Sequence, residues 1–142
     1  MNMASHALRI GDLADATETT APTIRYYEDI GLLPNPTRVG GQRRYGDADV
    51  RRMTFIRRCR QFGFSVEQIR NLLEVAQDSE RCCLEARQLA ESHLAAIHAK
   101  LVELCALERN IAELIEAGKV ECGGGPGVEC CVLEGLSQPP AW

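Results

Sequence analysis

The sequence has no run of about 18 apolar residues, and its first residues contain no apolar core like that of a secretory signal. Neither a membrane-spanning helix nor a cleaved leader is therefore expected. A charged fraction of 25% and a hydrophobic fraction of 45% argue against a wholly disordered or fibrous chain. We expect a soluble, cytoplasmic protein whose 142 residues form one compact domain or a small head with an extension.

Lysine is absent before residue 73, although this part of the chain contains 11 arginines and 8 acidic residues, a balance of +3. The remainder contains 5 basic and 12 acidic residues, a balance of −7. Eight of the arginines lie between Arg38 and Arg60, with only two acidic residues among them. Arginine concentrated in this way favours recognition of phosphates or base edges, with a solvated helix face as the alternative.

The sequence also lacks a Cys-x-x-Cys pair and a βαβ pattern, which argues against a thiol-disulfide enzyme. It nevertheless contains seven cysteines, an odd number and too few for a disulfide scaffold. Without a secretory signal, clustered thiols are more often metal ligands or redox groups. Cys59 fits an apolar helix stripe, and we expect both it and Cys105 to be packing residues.

The beginning of the chain has the pattern of two short helices around a polar break. Ile10, Leu13 and Ala14 recur at helical spacing. Pro22 then suits the first turn of a second helix, which Gly31 ends. The pair predicts a helix-turn-helix, whose second helix enters the major groove of DNA.

A different kind of segment follows, because the prolines at 34 and 36 are incompatible with a helix. Gly40-Gly41 predicts a tight hairpin turn between residues 37–39 and 42–45. We interpret this ribbon as a wing that straddles a DNA backbone; an ordinary surface hairpin is the alternative. The wing carries Arg38, Arg43, Arg44 and Tyr45.

Two further helices are predicted after the ribbon. Residues 47–49 cap the first, and Gly63 ends it. Ser65 begins the second, with Gln68 as the reciprocal partner in a capping box. Two apolar stripes are expected to face the core: Val50, Met53, Phe55, Ile56 and Cys59 on the first helix, and Ile69, Leu72, Leu73 and Ala76 on the second.

A long helix is predicted from about Cys82 to Ala117, with no proline or glycine to interrupt it. About 36 residues would span about 54 Å, too long to be buried against a small head. Its apolar seam therefore needs a second helix, and we predict a homodimer through an antiparallel or parallel pair. The seam consists of Leu94, Ile97, Leu101, Leu104, Ile111 and Ile115.

A loop rich in glycine follows the long helix. Five glycine or proline residues separate Cys122 from Cys130, so the backbone can bend until both sulfurs meet one ion. Cys130 and Cys131 are expected at the start of a short final helix, and Cys82-Cys83 opens the long helix beside Arg81, which favours thiolates. Sulfur ligands select Hg(II), Cd(II), Pb(II), Cu(I) or Zn(II) over Mg(II) or Ca(II). A disulfide, an irregular loop with unrelated thiols and a redox switch are the alternatives.

The chain contains, in order, Ile10-Gly11-Asp12-Leu13-Ala14, Thr23-Ile24-Arg25-Tyr26-Tyr27-Glu28, Gly31-Leu32-Leu33, Arg43-Arg44-Tyr45, Asp49-Val50, Phe55-Ile56-Arg57 and Gly63-Phe64-Ser65. These motifs resemble the MerR family of bacterial transcriptional regulators over nearly the whole chain. The resemblance implies a mostly α fold: a winged helix-turn-helix head at 7–77, a dimerisation helix in an antiparallel coiled coil at 81–117, a metal-binding loop with a short helix at 118–136, and a flexible tail at 137–142.

The site residues also follow from the resemblance. The helix at 22–29 is implied to read DNA while the wing grips phosphates. In the metal-sensing branch, a cysteine at the start of the long helix joins two in the loop, which implies Cys83, Cys122 and Cys130, with Cys82 and Cys131 as auxiliary ligands. The implied DNA contacts are Thr20, Thr23, Arg25, Tyr26, Arg38, Gln42, Arg43, Arg44 and Tyr45.

The implied function is a homodimer that binds a palindromic promoter and, on binding a metal ion, distorts the DNA so that RNA polymerase engages. It involves no enzymatic activity and no membrane. Three thiolates without histidine favour Hg(II), then Cd(II) or Pb(II), over Zn(II). The alternatives are a thiol-redox, iron–sulfur or copper(I) sensor of the same family, a metal buffer without DNA binding, and, more remotely, a thiol-disulfide enzyme.

Overall fold

The structure is a computed structural model, and it describes residues 8–121 and 123–139, without the side chain of Glu121. This part of the chain forms two compact units, one ending at Leu89 and the other beginning at Ala90. No helix among these residues is long and apolar enough to cross a bilayer. The elements in order are α1 (Ile10–Ala16), α2 (Ala21–Asp29), β1 (Thr37–Val39), β2 (Gln42–Arg44), α3 (Asp47–Gln61), α4 (Val66–Gln77), α5 (Cys83–Glu121), a 3-10 turn (Gly127–Glu129) and α6 (Cys131–Ser137).

The predicted helix-turn-helix is confirmed in α1 and α2. Thr20 caps α2, because its hydroxyl oxygen accepts the backbone N–H of Thr23 at 3.3 Å. Gly31 follows the helix with a φ of +81°, a left-handed conformation that favours glycine. Leu13 of α1 and Ile24 of α2 are both fully buried, so the two helices share one apolar core.

The predicted hairpin is confirmed as well. Strands β1 and β2 are antiparallel, with Arg38 opposite Arg43. Gly40 and Gly41 have φ values of +59° and +80°, which a two-residue turn requires when it matches the twist of its strands. Beyond β2, Tyr45 exchanges two backbone hydrogen bonds with Leu8, at 3.1 and 2.8 Å, which ties the ribbon to the segment before α1.

Helices α3 and α4 complete the core of the head. The predicted capping box is present: Ser65 Oγ accepts the N–H of Gln68 at 3.1 Å, and Gln68 Oε1 accepts the N–H of Ser65 at 2.8 Å. The predicted inward sets are wrong at Phe55 of α3 and at Ala76 of α4, which are exposed, whereas Val75 is buried. The buried apolar residues of the head are Leu13, Ala14, Ile24, Tyr27, Leu32, Leu33, Tyr45, Met53, Ile56, Cys59, Ile69, Leu73 and Val75.

The compact N-terminal unit extends past the predicted head boundary at residue 77 and includes the start of α5. Cys83 and Ala86 line an apolar hollow of about 340 Å³ together with residues of α3 and α4, among them Phe55, Leu72 and Val75. Because Phe55 faces this open hollow, it keeps 36% of its surface exposed. The first turns of α5 therefore belong structurally to the head.

Helix α5 contains 39 residues and continues four residues beyond the predicted end at Ala117. The helix continues through Gly118, which does not have a positive φ and lies buried beside Val132 of α6. The whole predicted seam is exposed in the single chain, from 40% at Ile97 to 66% at Leu94. Cys105 is exposed in the single chain, like the seam residue Leu104 beside it, whereas Cys59 lies in the core as predicted.

Candidate nucleic-acid interface and metal centre

Helix α2 presents two of the predicted DNA-contacting side chains to solvent. Arg25 is exposed, and Tyr26 keeps 51% of its surface accessible. Thr20 and Thr23 lie at the start of the helix, where their hydroxyls share a hydrogen bond of 2.8 Å. The threonines thus stabilise the first turn, and the arginine and tyrosine extend from the exposed side of the helix toward solvent.

An open cleft of about 360 Å³ lies between α2, the wing and the segment before α1. Its lining includes four arginines, and a concave site with this charge and these planar donors suits phosphate oxygens. Arg9 in this lining was not predicted, because nothing local in the sequence distinguishes it and only the hairpin's return past Leu8 brings it there. The cleft is lined by Arg9, Ile10, Arg25, Gly41, Gln42, Arg43 and Arg44.

Hydrogen bonds within the wing hold its arginines in place. Arg38 Nη1 donates to the carbonyl of Gly41 at 3.1 Å. Arg44 Nη1 donates to Gln42 Oε1 at 3.2 Å and to the carbonyl of Arg43 at 3.3 Å. The wing side chains therefore have partly ordered positions before any ligand arrives.

A buried carboxylate joins the wing to α2. The side chain of Glu28 is 5% exposed, and its Oε2 lies 3.1 Å from Nε of Arg43. The hydroxyl of Tyr45 donates to the other oxygen of Glu28. Burial and this hydrogen bond raise the pKa of the Tyr45 phenol. We call the three side chains the Glu28 clamp.

The Glu28 clamp changes the interpretation of two residues. Tyr45 is only 1% exposed, so it supports the wing from inside the core and does not present its hydroxyl to a phosphate. Glu28 was not predicted as a site residue, because one acidic residue among arginines gives no sequence signal of burial. Only the packing of β2 against α2 identifies it.

The two thiols at the start of α5 have different surroundings. Cys82 precedes the helix, and its sulfur accepts the backbone N–H of Leu84 at 3.5 Å. Cys83 lines the apolar hollow of the head. Arg81 was expected to favour the thiolates, but its guanidinium pairs with Glu85 (Nε–Oε2 3.0 Å) and with Glu74 (3.8 Å). This pairing lowers the pKa of the Glu85 carboxyl and offsets the positive charge beside the thiols.

The second group of thiols lies at the start of α6, as predicted. Cys130 is the N-cap and Cys131 the first residue of this helix, and both are half-buried. Cys130 lines an open cleft of about 560 Å³ together with the glycines at 123–125 and 127. Cys122 lies outside the described residues. Within the described part of this one chain, no three His, Cys, Asp or Glu side chains come together as a metal-binding group.

Two family models match the chain: the one described as MerR HTH family regulatory protein over residues 8–75, and the one described as MerR, DNA binding over residues 50–114. The HTH-type transcriptional regulator ZntR of Escherichia coli K12 is 39% identical over 133 residues, which cover 92% of each chain. This chain belongs to the MerR family. Its members and relatives are transcriptional regulators, so the MerR-family chain is a DNA-binding regulator and not an enzyme.

Two further comparisons concern relatives whose descriptions mention a metal. The mercuric resistance operon regulatory protein of Serratia marcescens is 39% identical to the MerR-family chain over 133 residues, covering 93% of this chain and 91% of that protein. The crystal structure of the transcription regulator PbrR691 from Ralstonia metallidurans CH34 in complex with lead(II) superposes with a TM-score of 0.80. It is 36% identical and covers 92% of this chain and 99% of that one.

Proposed function

We propose that this MerR-family chain is a metal-responsive regulator that binds a palindromic promoter as a homodimer and activates transcription when a soft metal ion binds. The observation that carries the proposal is the division of chemistry along the chain. Arginines line a cleft on the head, whereas thiols flank a long helix whose apolar seam is exposed. Because the proposed regulator acts on bacterial promoter DNA, we place its function in the cytoplasm.

The proposed DNA surface consists of α2 and the wing. Arg25 and Tyr26 face solvent on α2, at the position of the second helix of a helix-turn-helix, which enters the major groove. The wing arginines and the cleft behind them suit phosphates of the adjoining backbone. Thr20, Thr23, Arg38, Gln42, Arg43 and Arg44 complete this surface, with Tyr45 as its internal support.

The proposed dimer forms through α5. Full burial of a leucine or isoleucine side chain contributes about 1.5–3 kcal/mol, and six such side chains of one seam are exposed in the single chain. A second copy of α5 offers a seam of the same chemistry. In an antiparallel pair, the start of one helix comes close to the end of its partner, so thiols that are far apart along the sequence can meet.

We place the metal ion at this junction, held by Cys83 of one subunit and by Cys122 and Cys130 of the partner subunit. The surroundings of the described thiols support the choice of one cysteine from each adjacent pair. The sulfur of Cys82 is directed to the backbone at the start of α5, whereas Cys83 lines the hollow. Cys130 lines the glycine-rich cleft, with Cys131 as an auxiliary ligand beside it.

The donor set fits a soft ion. Three thiolates suit Hg(II) first, then Cd(II) or Pb(II), and Zn(II) less well in the absence of a histidine. The same preference agrees with the mercuric resistance relative and with the lead(II) complex of PbrR691. When bound, the ion would link the two subunits at the ends of α5.

The proposed response follows from linkage. A metal ion shifts the dimer toward the activating arrangement only if it binds that arrangement more tightly than the inactive one. The difference between the two affinities sets the size of the shift. Because Cys83 lies at the edge of the head, a bond to its sulfur acts directly on the unit that carries the DNA surface. The expected result is a distorted promoter that RNA polymerase can engage.

The experiment that tests the proposal is a competition titration of the reduced dimer with Hg(II), Cd(II), Pb(II), Zn(II) and Cu(I), combined with transcription in vitro. We expect Hg(II) to bind most tightly and to activate transcription. Cys83→Ser, Cys122→Ser and Cys130→Ser should each abolish the response, whereas Cys105→Ser, an exposed thiol elsewhere on α5, should retain it. An intact response in all three variants would overturn the ligand set, and preference for Cu(I) or activation by oxidation alone would favour the alternative sensors.

A further inference from the structure

Helix α6 packs on the last turns of α5 at a distance that only glycine permits. A β-carbon at Gly118 of α5 would lie 2.7 Å from Cγ2 of Val132, and one at Gly135 of α6 would lie 2.6 Å from Cδ2 of Leu114. Each separation is far shorter than a normal carbon–carbon contact of about 3.5–4.0 Å. The two helices therefore approach each other through two glycines, one on each helix.

The backbone does not explain the glycine at position 118. Gly118 lies inside α5, three residues before its end, and it does not have the positive φ that favours glycine elsewhere in this chain. Glycine is also a poor residue for a helix interior compared with alanine. The close approach of Val132 is the feature of this site that requires the absence of a side chain.

This contact lies next to the proposed ligands. Val132 is the second residue of α6, directly after Cys131 and two residues after Cys130. The N–H of Cys130 donates to the carbonyl of Gly127 at 3.1 Å, and its carbonyl accepts the N–H of Glu134 at 3.0 Å. The start of α6 and the end of the loop thus form one hydrogen-bonded segment, which rests on α5 at Gly118.

The two glycine contacts differ in how easily they relax. The atom facing Gly135 is the tip of a flexible leucine side chain, which can rotate away. The atom facing Gly118 belongs to valine, whose branched side chain has one strongly preferred rotamer in a helix. A side chain at position 118 must therefore move the start of α6 itself.

We infer that Gly118 is a positioning residue for the effector thiols: its contact with Val132 sets where α6 begins and therefore where the Cys130 sulfur lies. The inference rests on the proposed function, because it takes Cys130 as a ligand. It also explains why a glycine occurs inside a helix that otherwise contains none.

The test uses the full-length reduced dimer and measures its affinity for lead(II). Chelator competition and the sulfur-to-lead absorption band both report this affinity. Overpacking at this contact should make Gly118→Ala bind lead(II) at least about tenfold more weakly than the parent. Gly11→Ala is the matched control, because Gly11 also lies inside a helix and a β-carbon there meets nothing within 4 Å, so this variant should bind lead(II) normally. Because alanine favours the helix, a purely local role of Gly118 predicts unchanged or stronger binding instead.

Two further variants separate the explanations. Val132→Ala removes the carbon that position 118 would meet, so the double variant Gly118→Ala/Val132→Ala should regain most of the lost affinity relative to Val132→Ala alone. Failure of this rescue, or equal lead(II) affinity in Gly118→Ala and Gly11→Ala, overturns the positioning role. Cys130→Ser tests the ligand assignment separately: if it binds lead(II) as the parent does, the proposed ligand set fails, whatever the glycine variants show.

Discussion

The two units of this chain differ in how far their side chains are buried and paired within a single copy of the protein. The head buries its apolar residues and pairs the buried carboxylate of Glu28 inside one chain. The unit from Ala90 onward leaves the seam of α5 exposed, and α6 packs closely against the last turns of α5 at Gly118 and Gly135. The head thus completes most of its contacts within one chain, whereas the proposed dimer and metal ion would complete those of the C-terminal unit. Each of the following predictions tests this contrast.

The largest effect is expected in the seam of α5. Leu101→Asp should weaken dimerisation by at least about 100-fold, because each dimer loses two buried leucines and gains two charges in an apolar contact. Sedimentation equilibrium over a concentration series measures the change. Ala99→Asp places the same charge on the exposed opposite side of the helix and should leave the dimer intact. Equal dimerisation of both variants would contradict the assigned seam.

A large effect on DNA binding should be confined to the head. Arg25→Ala should weaken promoter binding by about 10- to 100-fold, since a base contact made by arginine contributes about 1–3 kcal/mol. Arg109→Ala removes the same charge from the exposed surface of α5 and should leave the affinity nearly unchanged. Fluorescence anisotropy with a labelled promoter duplex, at one fixed salt concentration, compares them. A similar loss in both variants would mean that net charge, rather than the α2 surface, determines affinity.

A moderate effect on stability is expected from the Glu28 clamp. Glu28→Gln should destabilise the head by about 1–3 kcal/mol, because it removes a buried charge-assisted acceptor from Arg43 and Tyr45. Glu18→Gln makes the same chemical change in an exposed pair with Arg57, where the loss should stay within about 0–1 kcal/mol. Urea unfolding of the two variants measures both values. Equal losses would show that the clamp stabilises no more than a surface ion pair does.

The smallest effect concerns pH. Because the folded head raises the pKa of the Tyr45 phenol, its contribution to stability is present below the unfolded value of about 10 and is lost as the pH rises above it. The free energy of unfolding should therefore fall more steeply above about pH 10 in the parent than in Tyr45→Phe. Tyr26→Phe, on the exposed side of α2, should keep the steeper fall of the parent. A parent and a Tyr45→Phe variant with the same slope would contradict the assigned burial.

Features set by neighbouring residues were predictable from the sequence. The end of α2 at Gly31, the capping box at Ser65 and Gln68, and the turn at Gly40-Gly41 all involve residues within three positions of each other. Helical periodicity also located the seam of α5, and the end of the glycine-rich loop located the thiols at the start of α6.

Features that depend on packing between distant segments were not predictable. The burial of Tyr45 depends on Glu28, 17 residues away, and nothing in the local pattern marks this pair. Arg9 enters the arginine cleft only because Leu8 pairs with Tyr45 after the hairpin. Val75 is buried in the core instead of the expected Ala76, because the helical pattern alone does not fix the rotation of α4 against its neighbours.

By itself, the sequence determined the order of the helices, the arginine-rich head, the apolar seam and the grouping of the thiols, since composition and periodicity encode these directly. The tertiary structure decided which arginines share a cleft, that Tyr45 faces inward, and that α5 continues through Gly118 to meet α6. The physical reason is that a residue distant in the sequence fills the space beside this glycine, and only the folded chain shows that Val132 of α6 does so.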